Sequence, residues 1–307
     1  MPLDPQAQIV IDGIEAMGLG GFTDDTDPDT IRALMNAVAV PSTIPIASVE
    51  DRLIPGPGGD IPVRIYRPDG DAPKPVIVYF HGGGWVLGSL ETHDNTVRKL
   101  AHEVDAVAIS VDYRMGPEDR FPAAVDDSYA ALAWAHEYAA SIGGDPDRIV
   151  VAGDSAGGNL AAVVAQIARA SGPAVRFQLL VYPVTDYEFT SGSMETNATG
   201  YFLTRDMMRW FFDRYLNTPA EGADPRVSPI RSANLAGLPP AFVLTMEYDP
   251  LRDQGVAYGT AMQAAGNEVV AKTYPGLFHG CFGLGDLVDA AKTPFDDAVA
   301  AVRSAVG

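Results

Sequence analysis

Cysteine is nearly missing from this chain of 307 residues: Cys281 stands alone, so neither an intramolecular disulfide nor a cysteine metal cluster can form. Basic residues are scarce too, with 21 lysines and arginines against 40 acids, a net charge of −19. Such a surface repels nucleic acid and anionic headgroups and favours solubility, so no nucleic-acid or membrane partner is expected. The acids are scattered and build no tail. No run of 18 apolar residues offers a membrane span. The opening MPLDPQAQIVIDGIEAMG carries Asp4, Asp12 and Glu15 and no basic region, which argues against a signal peptide and makes the cytoplasm the expected location. Phosphate-binding loops are weakly supported. HGGGWVLG fails G-x-G-x-x-G because Leu87 takes the third glycine's place, and G-x-x-x-x-G-K-[ST] does not occur.

What the chain has is apolar residue, 47% of the total, in a recurring order. β-rich runs fall near 47–54, 61–67, 75–80, 106–112, 148–153, 175–182, 240–247 and 268–274, with helical patterns near 92–104, 122–141, 156–171, 251–265 and 293–305. PVIVYF, AVAISVD, RIVVAG and AFVLTM are almost continuously apolar, as parallel strands buried on both faces require. The alternation predicts a doubly wound α/β sheet with helices on both faces, its first two strands an antiparallel hairpin turning at PGPGGD. Residues 1–45 and about 188–225 break the alternation and are expected to form a helical cap on the catalytic domain, 46–307. EVVAKTY reads as an exposed edge strand able to pair with a second subunit, which allows a homodimer.

In open α/β sheets ligands bind beyond the carboxyl ends of the strands, so polar groups just after strand ends are the candidates. Ser155 follows the fifth strand in GDSAGG, a G-x-S-x-G elbow. HGGGW follows the third strand, Asp249 the seventh and His279 the eighth. The chain order Ser, Asp, His is that of α/β-hydrolase triads. An imidazole titrates near neutral pH and can take the serine's proton, and a carboxylate fixes its tautomer. The oxyanion formed on a carbonyl needs donors, which the N–H groups of Gly83, Gly84 and Ala156 can supply.

The rivals are specific. Asp249 before Pro250 also reads as a helix N-cap, and Glu247 and Asp253 are competing acids. His81 is expected to brace the glycine loop, while His93, His102 and His136 fall in helical patterns and read as structural or solvated. Cys281 reads as a small buried filler. Over 207–215, Met207, Trp210, Phe211 and Tyr215 share one helical stripe and Met208 and Phe212 an adjacent one. The second stripe, with Trp85, is expected to line the substrate pocket.

Taken together, HGGGWVLG, YRMGPEDRFPAAVDD, GDSAGGNLA, EYDPLRD and FHGCFG resemble the hormone-sensitive-lipase-like esterases of the α/β-hydrolase fold, in their bacterial GDSAG-type carboxylesterase form. The resemblance runs from about Ile46 to the C-terminus, GYFLTRDMM included. It implies an eight-stranded, mostly parallel sheet with a helical cap, a triad of Ser155, Asp249 and His279, and an oxyanion hole at Gly83, Gly84 and Ala156. It further implies short to medium acyl esters as substrates and no cofactor or metal. Asp119-Arg120 departs from the histidine common after the family's glutamate, and Cys281 from an aliphatic or aromatic position. Two alternatives share the scaffold: an amidase or deacetylase using the same triad, and a non-catalytic receptor for small molecules, as in related plant hormone receptors. The presence of His279 favours an enzyme.

Overall fold

The computed structural model describes residues 1–307, the side chain of residue 171 excepted. Among the described residues, eight strands form one sheet in the order β1-β2-β4-β3-β5-β6-β7-β8. They are β1 (Ser48–Ile54), β2 (Ile61–Arg67), β3 (Lys74–Phe80), β4 (Val107–Val111), β5 (Gly144–Asp154), β6 (Phe177–Val181), β7 (Ala241–Tyr248) and β8 (Val269–Phe278). β2 runs antiparallel to both neighbours and forms the expected hairpin with β1, Ile54 opposite Ile61; every later pairing is parallel.

Side chains alternate across the sheet with a period of two. Val76, Val78 and Phe80 of β3 enter one core, while Ile77 and Tyr79 enter the other. The first core packs under α4 (Ala123–Tyr138), α5 (Ala156–Ser171) and α8 (Arg252–Ala264). The second packs under α3 (Leu90–Val104) and α9 (Lys292–Val306), joined by Ala7 and Ile11 of α1 (Pro5–Ala16). Helix starts follow capping chemistry. Asp4 and Asp27 accept the first free N–H groups of α1 and of α2 (Pro28–Val38), with proline at the first turn of each. The long insertion carries α6 (Gly192–Thr196) and α7 (Arg205–Tyr215). No helix is long and apolar enough to cross a membrane among the described residues.

Two boundaries differ usefully from the sequence reading. β8 continues to Phe278 and so delivers His279 directly off a strand end. α8 starts at Arg252 rather than 251, so Asp249 lies outside the helix; its Oδ1 accepts the Leu251 N–H at 2.7 Å. The N-cap reading of Asp249 thus becomes a tight turn, which uses one oxygen and leaves the other free.

Candidate active site

Ser155 sits at the corner between β5 and α5 with φ 55° and ψ −117°, a backbone conformation L-residues rarely adopt. The corner closes because Gly157 lies against the end of β3: a Cβ there would collide with the Phe80 carbonyl. Its backbone is tied down by the Ser155 N–H to Val181 O at 2.9 Å, while Ser155 O accepts the Val184 N–H at 3.2 Å. The hydroxyl is thereby pushed out of the turn and towards His279.

His279 Nε2 lies 2.9 Å from Ser155 Oγ, and its Nδ1 lies 2.8 Å from Asp249 Oδ2. The carboxylate takes the Nδ1–H, which leaves the Nε2 lone pair to accept the serine proton. All three residues are buried, Asp249 fully. The two competing acids are engaged elsewhere. Glu247 accepts the N-terminal ammonium and the Gly276 N–H, and Asp253 accepts the Ser193 N–H and pairs with Arg252. Asn197 Nδ2 braces the acid's loop by donating to the carbonyls of Glu247 and Asp249.

The glycine loop faces the serine. Gly83 and Gly84 both have left-handed φ, 119° and 62°, and a Cβ on Gly84 would strike the Phe211 ring of α7. Among the described residues the N–H groups of Gly83, Gly84 and Ala156 donate to no protein acceptor. The loop is braced from behind. Tyr113 Oη donates to His81 O at 2.7 Å, and the His81 ring stacks on Tyr113 with centroids 4.4 Å apart. His81 Nδ1 donates to Gly82 O, so a neutral ring leaves Nε2 with a lone pair and no partner. Burial, assisted by nearby His93, lowers its pKa to about 4.

Beside the serine lies a cavity of about 250 Å³. Its apolar wall joins Leu19, Phe22 and Met35 of the N-terminal segment and Leu203, Met207 and Phe211 of the insertion to Leu87, Phe282 and Leu284 of the catalytic domain. None of the residues expected to line the substrate pocket, Trp85, Met208 and Phe212, borders this cavity. Met208 is buried, and Phe212 lies in an aromatic cluster where Trp85 stacks on Tyr215 at 4.3 Å and lies 5.2 Å from Phe212. Periodicity separates the two stripes but does not say which one faces the hollow, because both are buried. A second hollow, of about 530 Å³, lies at the opposite ends of β6 to β8, and its Lys272 is paired with Asp297.

Sequence reasoning missed three groups around the serine. His93, read as structural or solvated, lines the cavity from α3 and approaches Asp154 at 3.4 Å. Asp154, beside Ser155 in the GDS run, is buried, which raises its pKa; the charge and hydrogen bonding of His93, and then the Tyr79 hydroxyl, overcome this and hold it below the usual range. The Tyr182 ring packs 4.5 Å from that of His279.

Residues 77–283 match the family model described as alpha/beta hydrolase fold. The chain belongs to the α/β-hydrolase family. Within it, the chain is 41% identical to the carboxylic ester hydrolase LipN of Mycobacterium tuberculosis, over 98% of this chain and 83% of that protein. It is 40% identical to the carboxylesterase NlhH of the same organism, over 99% and 96%. Among solved structures it superposes on a hyperthermophilic esterase from the archaeon Pyrobaculum calidifontis with a TM-score of 0.93 at 40% identity, covering 99% of each chain. These likenesses put the chain among the hormone-sensitive-lipase-like members of the family.

Proposed function

We propose that the protein is a carboxylic-ester hydrolase in which Ser155 is the nucleophile, His279 the general base and acid, and Asp249 the residue that orients His279. One observation carries this reading: the unbroken line from Asp249 Oδ2 through His279 to Ser155 Oγ, opening on a cavity beside three unused N–H donors. Ser155 Oγ attacks the ester carbonyl as His279 Nε2 takes its proton, and the carbonyl π pair moves to the oxygen. The N–H groups of Gly83, Gly84 and Ala156 receive that oxyanion. On collapse the C–O bond to the alcohol breaks and His279 returns the proton to the leaving oxygen. Water, deprotonated by the same imidazole, then releases the acid from the acyl-enzyme.

The apolar wall and small volume of the cavity support short to medium acyl groups. Residues 1–45 and 188–225 act as a cap, since side chains from both close that wall. β8 forms one edge of the sheet and supports pairing with a second copy, and the lone buried cysteine fits a cytoplasmic location.

A serine-directed phosphonate tests the nucleophile: one adduct is expected, on the peptide containing Ser155, and an adduct elsewhere overturns the assignment. A panel of p-nitrophenyl esters, the matching anilides and acetylated sugars tests the reaction. The expected result is turnover of the esters far above that of the anilides. Preference for anilides or acetylated sugars would mark an amidase or deacetylase, and tight binding without turnover a receptor.

A further inference from the structure

Asp154 is a buried carboxylate next to the nucleophile that the triad does not use. Burying a charge is costly unless it is fully engaged, and its partners here come from three different elements. Tyr79 at the end of β3 donates its hydroxyl at 2.7 Å, Gly82 donates its backbone N–H at 3.0 Å, and His93 of α3 lies 3.4 Å away. Gly82 is the residue immediately before the two glycines proposed to hold the oxyanion. A Cβ at Gly82 would collide with the Asp154 carboxylate, so loop and carboxylate are in direct contact.

The hydrogen-bond chain also fixes the His93 ring. Thr92 Oγ1 accepts the Ser89 N–H at 2.9 Å and donates to Ser89 O at 3.0 Å, so towards His93 Nδ1, at 2.9 Å, it has only a lone pair to offer. Nδ1–H thus donates to Thr92 Oγ1, and Nε2 faces Asp154 Oδ2 at 3.4 Å, to which the protonated ring donates. The Gly82 N–H is thus held by one oxygen of the Asp154 carboxylate, from the strand before the nucleophile, and His93, from the helix after the loop, braces the other oxygen.

We propose that Asp154 and His93 are positioning residues that hold the oxyanion loop at the distance from Ser155 that the transition state needs, by clamping the Gly82 N–H. The proposal rests on the ester-hydrolase reading above. A clamp of this kind acts on the charged intermediate, so its loss lowers kcat and leaves KM nearly unchanged.

The test uses substrate kinetics together with a trifluoromethyl ketone, whose carbonyl adds Ser155 Oγ and places an oxyanion in the loop. Asp154→Ala is expected to lower kcat by about 10²–10³-fold, as loss of an oxyanion donor does, and to weaken the ketone by a similar factor. Asp154→Asn keeps an acceptor for Gly82 and is expected to recover most of that loss. His93→Ala is expected to lose about five- to tenfold in both measurements, the worth of one ordinary hydrogen bond, with His93→Gln recovering part of it. Where Asp154→Ala fails to fold, the His93 pair decides. Folded variants that change KM but leave kcat and ketone affinity intact overturn the clamp, as does an Asp154→Asn no better than Asp154→Ala. Phosphonate labelling of the unaltered protein separates the two readings: a labelled Ser155 with indifferent His93 and Asp154 variants sinks the clamp alone.

Discussion

Among the described residues, all five positions of β4 and all five of β6 are buried, whereas α2 buries Ile31 alone and α1 only Ala7 and Ile11. The proposed catalytic groups hang from the sheet, at the ends of β5, β7 and β8, and are themselves buried. The cavity wall is shared: the frame supplies Leu87, Phe282 and Leu284, and the cover adds Leu19, Phe22 and Met35 from the N-terminal segment and Leu203, Met207 and Phe211 from the insertion. Its N-terminal part is anchored by polar ties, chiefly Arg32, which donates to Val86 O, Gly116 O and Glu118. α7 lies between these extremes, with six buried side chains and Phe211 resting on Gly84. Moving a strand end would open a close-packed core, while moving the cover disturbs fewer contacts. The frame is thus suited to hold reacting atoms still, and the cover to set what fits beside them.

The sharpest way to break this division is to alter the frame and find activity intact. Ser155→Ala is expected to lower kcat by about 10⁶-fold while the far-UV spectrum stays unchanged, since the lost hydroxyl adds little to packing. Asp249→Asn is expected to cost about 10⁴-fold, because an amide at this position favours the wrong imidazole tautomer. Asp253→Asn, which disturbs only the bonds to Ser193 and Arg252, is expected to leave kcat within a few-fold and to lower the melting temperature slightly. A larger kcat loss in folded Asp253→Asn than in Asp249→Asn would show that the acid is misassigned.

The frame was legible in the sequence because its physics is local. Continuous apolar runs mark doubly buried strands, and glycines at 153, 157 and 158 mark a corner too crowded for side chains. Asp249 and His279 were readable because each follows a strand end. The cover was less legible, because which side of a wholly buried helix meets a hollow depends on its neighbours. Met208 and Phe212 looked as suitable as Met207 and Phe211, and it is the latter pair that borders the cavity. His93 was hidden for a related reason. Its helical pattern was correct, but the pattern cannot show that the first turn of α3 faces the serine.

A smaller effect sharpens the comparison through stability. His81 belongs to the frame, and its pKa lies at about 4 against the ordinary value of 6.5. Below pH 6.5 the unfolded chain binds a proton here that the folded chain refuses, so folding stability falls as the pH drops and levels off below the folded value. A shift of this size makes His81 responsible for a loss of up to about 3 kcal/mol between pH 6.5 and 4. Urea unfolding at several pH values in that window measures it. His81→Gln starts less stable because it loses the stack on Tyr113, but its decline with acid is expected to be shallower by that amount. An equal decline in both proteins would place the acid sensitivity in other groups.

The smallest effect tests the cover itself. Phe211 lines the cavity and touches Gly84, whereas Phe212, one residue on, packs among Trp85, Tyr187 and Phe189. In a closed apolar cavity each added methylene of the acyl chain is expected to raise kcat/KM by up to about fourfold, the value of about 0.8 kcal/mol per buried group. The gain ends where the chain meets the wall, because overpacking costs about 1–3 kcal/mol. Phe211→Ala removes wall and is expected to move the optimum to longer acyl chains by a few carbons. Phe212→Ala removes core and is expected to lower the melting temperature while leaving the optimum in place. An acyl series from acetate to laurate, assayed on both variants, separates the outcomes. If Phe212→Ala shifts the optimum as far as Phe211→Ala, the two stripes of α7 share the wall. If neither shifts it, the cover does not set chain length, and the limit must lie in the frame around Ser155.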